Sequence, residues 1–89
     1  MHYVYILKSL KDLKLYIGYT NNLVQRLKKH NNGEVVSTKH RRPLVIVYCE
    51  AYRTEKEARE RERQLKQYGK AYAQLKRRIG RSINSVNTA

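Results

Sequence analysis

Cysteine occurs once in this sequence, at Cys49, which excludes an internal disulfide and a cysteine-based zinc cluster. Its place directly after the apolar run Leu44-Val45-Ile46-Val47-Tyr48 predicts a small buried hydrophobe. No apolar run reaches the length needed to cross a bilayer, and no charged-then-apolar signal segment stands at the N-terminus. A cytoplasmic setting without membrane association is therefore expected. Acid is scarce: 7 Asp and Glu face 20 Lys and Arg, for a formal net charge of +13. The cations run along the whole chain rather than gathering in a tail, so polyanions are the expected partners. At 89 residues there is room for one small domain and none for a second catalytic module. Internal repeats and low-complexity segments are absent.

Residues 2 to 8 and Leu15 to Thr20 are β-branched, aromatic and aliphatic, and the polar stretch Ser9 to Lys14 separates them, which predicts a β-hairpin. Asn21 or Asn22 then caps a helix of about three turns, with Leu23, Arg26, Leu27 and His30 on one side and Asn32-Gly33 as the stop. Glu34 to Arg42 reads as an exposed basic loop, leading after Pro43 into a third strand from Leu44 to about Tyr52. Thr54 followed by Glu57 matches a capping box. The helical pattern it opens runs to about Ile79 and breaks near Gly69, giving two helices. Ser82 to Ala89 lacks periodicity and reads as a flexible tail behind a domain of residues 1–81. The predicted order is β-β-α-β-α-α, a small α/β fold with a three-stranded, largely antiparallel sheet flanked by helices.

Several residues are candidates for chemistry. Glu62 lies on the apolar stripe of Ala58, Leu65 and Tyr72, where an acid needs a partner: an i,i+4 ion pair to Lys66, an arginine, or a metal ion. Arg26 and His30, four residues apart, border the core. Arg26 is either a solvated, phosphate-positioning cation or a group that offsets charge in a transition state. His30 either contacts the last helix carbonyls or relays a proton. Tyr5 and Tyr16 sit on neighbouring strands, where half-buried aromatics are common. Gly18 marks either a close backbone approach or a bend. Lys28, Lys39, Arg41, Arg42, Arg63, Lys66 and Lys70 read as a platform for phosphates, with Lys39-His40-Arg41-Arg42 as a gripping element or a merely solvated charge run.

Taken together, Tyr3-Val4-Tyr5, then Tyr16-Ile17-Gly18, then Arg26, His30-Asn31 and finally Glu57-Ala58 with Glu62 and Lys66 resemble the GIY-YIG nuclease family over residues 2 to about 79. The resemblance implies a GIY-YIG-like fold and a DNA endonuclease of the phosphodiester hydrolase class. It makes Tyr5, Tyr16, Arg26, His30 and Glu62 the catalytic residues. Glu62 would be the ligand of a divalent metal, Mg²⁺ or in its place Mn²⁺. Tyr16 or His30 would be the general base, and the products a 5′-phosphate and a 3′-hydroxyl. The chain departs from the family pattern at Gln74, where many members carry asparagine, and in Tyr3-Val4, which stands in place of Gly-Ile. Weak sequence preference is expected, because no base-reading motif is present, and a separate protein partner for targeting is compatible with so small a chain. The alternative is a basic nucleic-acid-binding module with little or no nuclease activity. A weaker third reading is an RNA-associated basic protein.

Overall fold

Alternation along one strand decides the architecture. The computed structural model describes residues 1–86, and its first strand, β1 (His2–Ser9), is buried on both faces from Val4 to Ser9. Val4 and Ile6 point to one side, Tyr5 and Leu7 to the other, as the period of two requires. β1 pairs antiparallel with β2 (Leu15–Thr20) and with β3 (Leu44–Tyr52), so the sheet order is β2-β1-β3 and the first strand is central. The helices are α1 (Leu23–Asn31), α2 (Glu55–Leu65), α3 (Lys70–Arg78) and α4 (Gly80–Asn84), with a 3₁₀ turn at Lys39–Arg41. This is the expected order with one short helix added.

Two cores follow from the alternation. Val4, Ile6 and Ile17 pack with Ala58, Leu65, Leu75 and Ile79 of the later helices. Tyr5, Leu7 and Leu44 pack with Tyr16 and, from α1, Leu23 and Leu27. Each fully buried aliphatic side chain contributes about 1.5–3 kcal/mol. The helix ends carry the expected caps. Asn22 accepts from the Gln25 N–H at 3.2 Å, and Thr54 accepts from the Glu57 N–H at 3.2 Å while its hydroxyl donates to the Glu57 carboxylate at 2.8 Å. At the far end of α1, Gly33 has φ of 79°, its N–H donates to the His30 carbonyl and the Glu34 N–H to the Lys29 carbonyl, which is a Schellman closure.

α2 is pinned to β3 by a half-buried ionic cluster. Arg61 grips Glu50 with Nε and Nη2, each at 3.0 Å from a carboxylate oxygen, and the Tyr48 and Tyr52 hydroxyls donate to the same carboxylate. Burial and then the neighbouring Glu50 push both phenols up to about 12. Burial alone would raise Glu50, but the donors from Arg61, Tyr52 and Tyr48 outweigh it and hold the carboxylate below its usual range. The pin sets the azimuth of α2, and with it the direction of Glu62.

Three expectations are corrected in whole or in part. Cys49 is exposed: although it pairs with Tyr5 of the central strand, it lies on β3, an edge strand of the sheet. Glu34 to Arg42 is exposed at most positions, as expected, but Val35 and Thr38 are buried and a 3₁₀ turn follows them. Helical order also reaches Asn84, into the segment expected to be a tail. Ile83 packs against the core there and its carbonyl accepts from Lys8 Nζ at 3.0 Å. The rest of that expected tail, residues 87–89, lies outside the described residues.

Candidate active site

On the α1 face of the sheet, four of the candidate residues meet. Tyr5 of β1 is 1 % exposed and lies opposite Gly18 of β2. A Cβ at Gly18 would fall 2.3 Å from the Tyr5 hydroxyl and 2.4 Å from its ring, so the absence of a side chain there is what lets the phenol lie across β2. The close approach that Gly18 suggested is thus to Tyr5 within the chain. Tyr5 Oη stands 2.8 Å from His30 Nε2, and His30 Nδ1 stands 2.7 Å from Thr38 Oγ1. Arg26 Nε donates to Tyr5 Oη at 3.4 Å. Tyr16 closes the group: its ring centroid lies 5.2 Å from that of His30 and 6.4 Å from that of Tyr5.

The proton positions follow from donors and acceptors. Since Arg26 donates to the Tyr5 oxygen, we assign the phenol proton to the bond with His30 Nε2, which leaves Nδ1–H to donate to Thr38. This needs a neutral imidazole, and the surroundings supply it. Burial, then the adjacent Arg26 charge, lowers His30 to about 4. Burial raises the Tyr5 phenol although Arg26 pulls the other way. The phenols of Tyr5 and Tyr16 hold Arg26 firmly protonated, the bond to Tyr5 foremost. His30 thus contacts Tyr5 and Thr38 rather than the last carbonyls of α1. Its neighbour Asn31 clasps β3, with both amide atoms 2.9 Å from the backbone of Leu44.

Glu62 comes from α2, whose Ala58 and Leu65 pack on the opposite face of the sheet, yet its carboxylate is near enough for its charge to push Tyr5 upward. Its side chain is 15 % exposed, with Lys66 Nζ at 2.9 Å and an Arg59 guanidinium nitrogen at 3.7 Å, so the i,i+4 pair is formed. Arg59 also lies over the Tyr19 ring, 3.8 Å from its centroid. Among the described residues no group of three or more His, Cys, Asp or Glu could hold a metal ion. One sheltered carboxylate, with no nitrogen or sulfur donor beside it, fits a hard, mostly hydrated divalent cation completed by phosphate oxygens. It does not fit a closed structural metal site.

The expected phosphate platform divides. Lys28, Lys39, Arg42 and Lys70 are exposed, although Arg42 Nε donates to the Lys39 carbonyl. Arg41 is half-buried and already paired with Asp12 at 2.8 Å, an ion pair that holds Asp12 down to about 2. Arg63 pairs with Glu60 across one turn, and Lys66 with Glu62. Sequence reasoning missed Thr38, the partner of His30, and Arg59. For Thr38 the available signal was Val35-Val36, an apolar pair in a polar stretch that implied local packing.

No helix among the described residues is long and apolar enough to cross a membrane. A family model described as the GIY-YIG catalytic domain matches residues 1–77. The UPF0213 protein of Staphylococcus saprophyticus is 44% identical over 70 residues, covering 78% of this chain and 84% of that protein. Its counterpart in Clostridium perfringens is 49% identical over 67 residues, covering 74% and 71%. The solution NMR structure of the UPF0213 protein from Bacillus halodurans aligns with a TM-score of 0.51 at 35% identity, over 83% of this chain and 79% of that one. UPF0213 proteins are small stand-alone GIY-YIG proteins. With the matched model spanning nearly the whole chain and the tyrosines, arginine and histidine of the motif gathered on one sheet face, this chain belongs to the GIY-YIG family, a family of nucleases.

Proposed function

We propose that the chain is a metal-dependent DNA endonuclease that hydrolyses phosphodiester bonds with weak sequence preference and selects its substrate by shape. The observation that carries this reading is the hydrogen-bonded line Arg26–Tyr5–His30–Thr38, closed by Tyr16. A permanently charged guanidinium, a retained phenol proton and a neutral imidazole are held in a fixed array. Preorganised groups of this kind act where charge develops in a transition state. Arg26 would meet a non-bridging phosphate oxygen and offset the charge that grows as water attacks in line. Tyr16, half-buried rather than enclosed, is the phenol placed to orient or deprotonate that water. Tyr5, enclosed and with its pKa raised, keeps its proton and positions Arg26 and His30. Glu62 would hold the metal ion, Mg²⁺ or in its place Mn²⁺, whose charge when bound neutralises phosphate oxygens.

One observation favours a second reading, a nucleic-acid-binding module with little activity: Lys66 and Arg59 already lie against the Glu62 carboxylate, and a metal must displace them. Cleavage of labelled single-stranded, duplex and branched DNA with Mg²⁺, with Mn²⁺ and with a chelator separates the two. Cutting is expected with metal only. Arg26→Ala and Glu62→Ala should each lower it by about 100-fold or more, while DNA binding in chelator survives. Undiminished cutting by both variants would exclude this active site, and binding without cutting in every condition would establish the module.

A further inference from the structure

Tyr68 is a large aromatic that the fold both exposes and strains. It is 62% exposed, and its φ of 55° is a left-handed conformation that bulky residues avoid. It stands where α2 runs out: the Gln67 N–H reaches the Gln64 carbonyl at 3.3 Å, and the Tyr68 N–H reaches the Leu65 carbonyl at 3.1 Å. The left-handed step then turns the chain toward α3. Glycine is the usual residue for such a step, yet glycine stands one position later, at Gly69. Tyr72, half-buried against the core, braces the exposed ring edge to face, with centroids 5.0 Å apart at 87°. Lys76 Nζ lies 5.3 Å from the centroid of Tyr72. After Glu62 the sequence contains no Asp or Glu at all, while Lys66, Lys70 and Lys76 surround the two rings in sequence.

A flat ring presented to solvent inside a wholly cationic stretch suits a nucleobase, which stacks on the ring while its phosphates meet the lysines. In a duplex both faces of an internal base are already covered, so the base that stacks here is unpaired. Tyr68 lies six residues past Glu62, just beyond the end of α2. We propose that Tyr68, braced by Tyr72, is a stacking site for an unpaired base of the DNA strand that passes Glu62, so that preferred substrates are single-stranded or unpaired beside the cut. The path past Glu62 rests on the nuclease reading; the stacking itself does not.

An oligodeoxynucleotide carrying 2-aminopurine tests this, titrated as a single strand and as a duplex, in chelator, with wild type, Tyr68→Gly, Tyr68→Leu and Tyr68→Trp. Glycine suits the backbone at this position, so Tyr68→Gly removes the ring without lowering the thermal midpoint. Single-strand affinity is expected to fall roughly 5- to 150-fold in the glycine and leucine variants, with loss of fluorescence quenching. Duplex affinity should stay where it was, and tryptophan should restore both signals. Equal weakening on both DNA forms, or a leucine variant that binds single strands like wild type, would overturn the proposal. Because binding is read without metal, a wild type that never cuts would sink the nuclease reading and leave the stacking site standing. An active enzyme indifferent to Tyr68→Leu would do the reverse.

Discussion

At the scale of single residues, His30 shows how a buried group makes stability depend on pH. It is fully enclosed, and its pKa of about 4 in the fold compares with about 6.5 for an exposed imidazole. The unfolded chain therefore takes up this proton first as pH falls. The contribution of His30 is complete above about pH 6.5 and is lost as pH drops toward its folded value, up to about 3 kcal/mol in all. Urea midpoints should fall between pH 7 and about 5.5, above the range in which Asp12, Glu50 and Glu60, all held low in the fold, take up protons on unfolding. His30→Gln should flatten that profile, and a wild-type midpoint that does not move would contradict the assignment. The grouping of Tyr5, Tyr16, Arg26 and His30 was legible at this scale, because their combined spacing resembles the GIY-YIG pattern. Thr38 was not, since its role depends on a fold that brings it to His30. Nor was the exposure of Cys49, which depends on β3 being an edge strand.

At the scale of elements, local chemistry was readable and tertiary burial was not. The hairpin, both asparagine and threonine caps and the break at Gly69 are written in side chains that act within a few residues. The 3₁₀ turn and α4 are not, because burial of Val35, the bond of Thr38 to His30 and the packing of Ile83 on the core depend on distant residues. The end of α1 is the joint between these regimes. Gly33, with φ of 79°, stops the helix and sends the chain back so that Thr38 meets His30. Gly33→Ala is expected to cost about 1–2 kcal/mol through the left-handed backbone, and the exposed Arg42 guanidinium nearest a new Cβ must also swing away from its bond to the Lys39 carbonyl. Thermal or urea unfolding measures this, and a variant as stable as wild type would show that the closure is dispensable.

At the scale of the whole molecule, most of the acid is spent internally. Asp12 pairs with Arg41, Glu50 with Arg61, Glu55 with Arg59, Glu60 with Arg63 and Glu62 with Lys66. The net charge of +13 is thus carried largely by cations outside these five ion pairs, and DNA affinity should fall linearly on a plot of log K against log salt. The slope should approach about −0.7 per phosphate contacted on single strands and about −0.9 on duplex. Arg41→Ala should lower stability and leave that slope unmoved, whereas loss of Lys28 or Lys70 should make it shallower; a shallower slope for Arg41→Ala would return that residue to the binding surface. The strand order carries a consequence for synthesis. β1 is made first yet lies in the middle of the sheet, and its second neighbour begins only at Leu44. A nascent chain can close the β1–β2 hairpin at once, but the flank of Tyr5 stays open until Tyr52 has emerged, and Glu62 follows later still. A product released early by a stalled ribosome would carry both motif tyrosines and Arg26 on an unfinished sheet and would lack Glu62 altogether.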